Sequence, residues 1–202
     1  FADYTKATML CSAPDDGPIV VFARTARIAG RNPPNEPPDE IRARRMAYFR
    51  SMETGPRPAI AGVEELEHTD CIAPRVREDH SAVHTGLGMA GALTNGVMRD
   101  LGDIEPGFAV IAGSVGPSHG FVHVCEFGTR VEIFGLIVGE GDLVHADRHG
   151  ALVVPPDVIP GLGAAIERLL STEQIILEPA RRTGFDIEAL ETAWAAFEKA
   201  RT

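Results

Sequence analysis

Cysteine is scarce in this 202-residue chain. Cys11, Cys71 and Cys125 stand far apart, odd in number and without CxxC spacing. That pattern supplies neither a disulfide framework nor a zinc site, and a reducing cytoplasm is the expected compartment. Basic residues are also few, with 19 Lys plus Arg against 29 Asp plus Glu and a formal net charge of -10. Binding to nucleic-acid phosphates needs clustered cations, so a nucleic-acid partner is not expected. No apolar run approaches the ~18 residues of a membrane span. The opening residues FADYTKATML lack the basic and long apolar regions of a secretory leader, so neither a membrane nor an export route is expected. No repeat of 20 to 50 residues stands out, and the only biased segment is a Pro-rich loop.

What is present is a globular composition, 44% hydrophobic and 24% charged. Such a chain can bury a substantial core as one domain. The β-branched stretch from Pro18 to Ile28 predicts a strand, and GRNPPNEPPDE after it predicts a loop, because its prolines fix φ and remove backbone donors. A helix is expected over Asp39 to Ser51, a short strand within PRPAIAGVEEL, a helix over residues 78 to 89 and a small-residue strand from Ala90 to Thr94. That rhythm indicates mixed α/β. From Gly107 the runs FAVIAG, FVHVCEF, RVEIFG, LIVG, LVHAD and ALVVP, set off by Gly and Asp turns, predict an antiparallel or mixed β layer. Pro155 and Pro156 end it. VIPGLGAAIERLL, STEQIILEPARR and IEALETAWAAFEKA then read as three helical segments.

Several familiar chemistries are missing. His119 and His123 are four apart, as are His145 and His149, but there is no HExxH, and on a strand such a pair lies ~13 Å apart at ~3.3 Å per residue. These histidines read as structural or turn residues, and Asp147 as a turn former. GSVGPSHG, residues 113 to 120, has the glycines of a phosphate cradle without its lysine or a following helix, and lacks GxSxG spacing. It reads as a loop near a site. The charged candidates that remain are Arg99-Asp100, which ends ALTNGVMRD, and Glu78-Asp79-His80 before it. An Arg-Asp dipeptide is most often a solvated or structural pair.

TNGVMRDL resembles the TDGxxRDxxxL motif of the RraA-like family, which holds class II 4-hydroxy-4-methyl-2-oxoglutarate aldolases, regulators of RNase E activity and proteins labelled demethylmenaquinone methyltransferase. Residues 78 to 100, EDHSAVHTGLGMAGALTNGVMRD, resemble the family block running from an acid to the RD pair. Residues 141 to 155, GDLVHADRHGALVVP, resemble its GDxxxADxxGVVVVP block. The resemblance implies an αββα sandwich of the swivelling phosphohistidine-domain type over residues 1 to 160. It further implies a C-terminal helical extension, 161 to 202, packing on the core or a neighbouring subunit, and a homotrimer or homohexamer.

It also implies roles. Arg99 would bind the carboxylate or keto oxygen of a 2-oxo acid, for which its fork of donors is suited. Asp100 would ligate a divalent metal, Mg²⁺ before Mn²⁺. Glu78 would hold metal-bound water, and the backbone N–H groups of Asp79 and His80 would receive the substrate carboxylate at a helix N-terminus. Glu173, with Glu178 as the alternative, would complete the site from a neighbouring subunit. Two departures stand out: Asn95 where Asp is commoner, and Arg77 where Gly precedes the acid. The implied activity is cleavage of 4-hydroxy-2-oxo acids to pyruvate, with oxaloacetate decarboxylation through the same enolate. The alternative is a non-catalytic regulator of a ribonuclease.

Overall fold

A computed structural model of the chain describes residues 3–67, 74–76, 78–117 and 119–201. Two compact units are formed, Phe1–Val154 and Pro155–Thr202. In the first, β1 (Leu10–Cys11) and β2 (Ile19–Ala29) precede α1 (Pro38–Glu53), followed by β3 (Ala59–Glu65), β4 (Pro74–Val76), α2 (Glu78–Gly86) and β5 (Met89–Met98). Then come β6 (Ala109–Val115), β7 (His123–Phe127), β8 (Val131–Ile133), β9 (Leu136–Val138), β10 (Leu143–Asp147) and β11 (Gly150–Val154). The second unit holds α3 (Ile159–Ala180) and α4 (Ile187–Arg201).

The expected mixed α/β architecture is what forms. Nine strands share a sheet with the path β1-β6-β5-β3-β2-β10-β11, to which β4 adds on β5 and β7 on β2. The strands β2, β3, β5 and β6 run parallel, whereas β1, β7, β10 and β11 pair antiparallel with their neighbours. The helices α1 and α2 serve as crossovers within this parallel set. Pro38 opens α1 at a position where a missing N–H costs nothing, and Asp39 and Glu40 in its first turn complement the helix dipole.

Strand alternation sends side chains to two cores. On one face Ala26, Ile28, Ala61, Val63, Ala92 and Val110 pack with Tyr48 and Met52 of α1. On the other, Val21, Ala23, Ile60, Leu93 and Ile111 pack with Ile133, Leu136 and Val138 of the β8–β9 hairpin. Gly113 permits this second layer to close, since a Cβ there would fall 2.6 Å from the Asn95 carbonyl oxygen and 2.7 Å from the Phe134 ring.

The structure departs from the sequence reading in element lengths. The strand expected over Ala90 to Thr94 runs on to Met98, because a register shift between Thr94 and Val97 absorbs Asn95 and Gly96 while pairing with β6 resumes beyond them. The two helical segments expected on either side of Leu170 are one helix, α3, with Pro179 admitted only in its last turn. Asp186 caps α4, its Oδ1 accepting the Ala189 N–H at 2.9 Å. Among the described residues no helix is long and apolar enough to cross a membrane.

Candidate active site

Parallel pairing gathers the candidate residues. Val76 of β4 and Met98 of β5 are register partners, as are Met98 and Val115 of β6. Two residues beyond these partners lie Glu78, which begins α2, and Asp100. Residues 116, 117 and 119 to 122 follow the third strand end. The carboxyl ends of parallel strands are where open α/β sheets place their ligand crevices.

Arg99 is deeply seated, its side chain 13% exposed, while Asp100 beside it is 39% exposed. The Arg99 Nε lies 3.4 Å from Asp100 Oδ2, an ion-pair distance, and makes no hydrogen bond among the described residues. Its Nη1 sits 2.8 Å from His119 Nε2. A guanidinium only donates, so His119 accepts through an unprotonated Nε2. Asp100 adopts φ 55°, the left-handed region that an Asp tolerates better than most residues, and this turns the chain sharply at the strand end.

Glu78 is exposed at the first position of α2. Its carbonyl accepts from Ser81 Oγ at 2.8 Å, and Ser81 Oγ in turn accepts the Glu105 N–H at 3.1 Å, which fixes the helix start against the loop after β5. The His80 N–H donates to Asp79 Oδ1 at 2.9 Å, so one carboxylate of the chain already occupies the kind of position expected for a substrate carboxylate.

Asn95, the departure noted in the motif, is buried and clamps two strands. Its Oδ1 accepts the Glu65 N–H at 2.7 Å and its Nδ2 donates to the Glu65 carbonyl at 3.1 Å. An Asp could accept the first bond but could not donate the second. Arg77 lies outside the described residues, as does Cys71. Glu173 and Glu178 are exposed on α3, in the second compact unit.

Of the histidines read as structural, His149 and Asp147 form the expected turn, with the His149 N–H 2.7 Å from Asp147 Oδ1. Burial raises the Asp147 pKa, but the bonds and charge of His149 outweigh it and hold the carboxyl below its ordinary value. His119 is different. It reaches Arg99 from the loop after β6, and the only sequence signal was that loop's glycines.

Among the described residues no three His, Cys, Asp or Glu side chains gather as a metal cage. The donors present are one carboxylate, Asp100, and a second acid on the neighbouring strand end, Glu78. Such a set suits a hard cation that keeps most of its waters, as Mg²⁺ does, and not a tetrahedral zinc.

Residues 78–153 match the model of the RraA-like family, described as Aldolase/RraA. That segment is RraA-like. The matched RraA-like segment begins at Glu78, contains Arg99, Asp100 and His119, and ends in β11. Similar solved structures carry the same fold. A protein of Pseudomonas syringae pv. tomato str. DC3000 superposes with TM-score 0.66 at 18% identity, over 99% of this chain and 86% of that one. RraAS2 of Streptomyces coelicolor, an unusual member of the RNase ES inhibitor RraA family, gives TM-score 0.66 at 19% identity, over 85% and 82%. The RNA-processing inhibitor RraA of Thermus thermophilis gives 0.55 at 14% identity, over 76% and 85%. No curated protein matches the chain in sequence.

Proposed function

We propose that this RraA-like chain is a divalent-metal-dependent carbon-carbon lyase that cleaves 4-hydroxy-2-oxo acids to pyruvate. One observation carries the reading: Arg99 is nearly buried at the parallel strand ends with its Nε making no hydrogen bond among the described residues, beside a carboxylate turned out by a left-handed residue. A buried donor left without a hydrogen bond is costly, and an incoming oxygen anion would satisfy it. Asp100, with Glu78 reaching it through water, would hold Mg²⁺ or Mn²⁺, and that ion when bound supplies Lewis-acid charge at the site.

The chain's own groups then divide the work. Arg99 holds the keto or carboxylate oxygen of the 2-oxo acid. Glu78 would accept the proton of the C4 hydroxyl. As the C3–C4 bond breaks, its electron pair delocalises from C3 to the keto oxygen. Arg99 meets that charge, and protonation at C3 gives pyruvate. Loss of CO₂ from oxaloacetate leaves the same electron pair on C3, so decarboxylation is the expected side activity. Lysine plays no part in this scheme. Glu173, or Glu178, would join the site from a neighbouring subunit of a homotrimer or homohexamer.

A second reading has a specific observation behind it, since one similar structure is named an RNA-processing inhibitor and another an unusual member of the RNase ES inhibitor RraA family. In that reading the chain regulates a ribonuclease as a protein partner without catalysis. Pyruvate release from 4-hydroxy-4-methyl-2-oxoglutarate, measured with Mg²⁺, after chelation and for Asp100→Ala, decides between them. The lyase reading expects a loss of about 10³-fold or more in both treated samples. Absence of release from the untreated protein, or release that survives both treatments, overturns it.

A further inference from the structure

A cleft of about 460 Å³ opens between α1, the first two turns of α2 and residues 119–124. This volume lies within the range of small-molecule sites and is far more than a pyruvate-sized head needs. His119 joins the cleft to the strand-end site, because it lines the cleft and accepts from Arg99 Nη1 at 2.8 Å. Asp79 and His80 line it as well. We infer that the cleft holds an aromatic substituent of the substrate, carried beyond the 2-oxo acid head; this rests on the reading of Arg99 and Asp100 given above.

Three features favour a ring over the compact methyl of the simplest substrates. The apolar wall is wide: Met46, Phe49, Val83 and Val122 face a space that a methyl group would leave wet. Much of the lining carries planar groups, the imidazoles of His80 and His119, the Phe49 ring and the Arg45 guanidinium. Planar groups of this kind stack on an aromatic ring or meet its edge, and Arg45 adds a cation for its face.

The walls are also held at a set separation. His84 Nδ1 lies 2.6 Å from the His80 carbonyl oxygen, which can only accept, so Nδ1 carries the proton. Its Nε2 therefore accepts from Tyr48 OH at 2.7 Å. This buried bond ties α1 to α2 beneath the cleft, and a preformed cleft spends little ordering free energy on binding.

Calorimetric titration of the full chain in Mg²⁺ buffer, with phenylpyruvate and pyruvate as probes, tests this. Phenylpyruvate is expected to bind at least about tenfold more tightly. Val83→Trp, at an exposed position of α2, should fill the cleft and bring the ratio of the two affinities close to one. Met46→Trp, on the α1 wall, should do the same and covers the case in which the first variant fails to fold. Equal binding of the two probes by the unaltered chain overturns the inference, as does a failure of both to bind. Tighter phenylpyruvate binding without any pyruvate release from hydroxy-oxo acids overturns the lyase reading alone.

Discussion

Arg24 and Arg99 are equally buried arginines, each with a side chain 13% exposed and a carboxylate beside it. Around Arg24 the protein has answered the guanidinium's donors. Nε and Nη2 donate to the Ser51 carbonyl at 3.1 and 2.6 Å, Nη2 also to Thr54 Oγ1 at 2.8 Å, and Nη1 pairs with Glu140. The second Glu140 oxygen accepts from the Thr25 N–H and hydroxyl at 2.8 and 3.0 Å. Around Arg99 the only hydrogen bond described goes to a histidine, and Nε looks at Asp100 from 3.4 Å without one. Two desolvated cations thus meet different fates. The first belongs to the fold, fastening β2 to the end of α1 and to the turn after β9. The second retains donor capacity at a strand end, beside a histidine that lines a cleft, which is the state expected of a group that binds something else.

Exchanging each arginine for alanine should break this symmetry in opposite directions. Arg99→Ala is expected to lower kcat/KM for pyruvate formation by about 10²- to 10³-fold, the usual loss on removing a donor to a developing oxyanion. Its stability should change little, because a strained donor is removed along with the side chain. Arg24→Ala should instead destabilise the chain by about 3 kcal/mol, since it leaves Glu140 and the Ser51 carbonyl short of partners. Activity per folded molecule should persist. Urea unfolding beside the pyruvate assay reads both outcomes, and a stability loss for Arg99→Ala equal to that for Arg24→Ala would erase the distinction.

This contrast was only half legible in the sequence. The RD pair and the acid 21 residues before it carry the motif, so Arg99, Asp100 and Glu78 could be named from their order alone. The mixed sheet followed from β-branched runs alternating with helical ones. What the order could not show was that β4, three residues long and ending two residues before Glu78, pairs parallel to the end of β5 that leads into the RD pair. Nor could it show His119 on Arg99, because a histidine in a Gly-Pro loop has no period to reveal its direction. Arg24 carried no signal of its structural role, since its partners lie 27 to 116 residues away. The α1–α2 cleft depends on Tyr48 meeting His84 across 36 residues. Contacts of that range are set by topology, which local pattern does not encode.

Asn95 sharpens the comparison from inside the same strand as Arg99. Asn95→Asp would match the commoner form of the motif yet remove the donation to the Glu65 carbonyl and bury a carboxylate. A loss of about 1 to 3 kcal/mol is expected, with kcat/KM per folded molecule within about threefold of the parent. Should the substitution leave stability intact, the amide clamp is not what fixes the β3–β5 junction, and the departure from the motif would have to be sought in the site itself.

The smallest effect belongs to a third arginine-acid pair, 2.8 Å apart, in which Arg44 in the second turn of α1 reaches back to Glu36 in the loop before it. The hydrogen bond from Arg44, helped by the backbone N–H of Glu36 and opposed by slight desolvation, holds the Glu36 carboxyl below its ordinary value. A carboxyl depressed in the folded state contributes stability above its unfolded pKa and loses it as pH falls through the folded one. Glu36→Gln should therefore lower the Tm by no more than about 2 °C near neutral pH, less in high salt, and by nothing once the pH is below the depressed value. Unlike Arg24, Arg44 has water as a ready substitute for its partner, and unlike Arg99 it has no buried donor to leave exposed. A larger or pH-independent shift would mean that Glu36 acts through the packing of the Pro-rich loop, and that ion pairing at this surface is incidental.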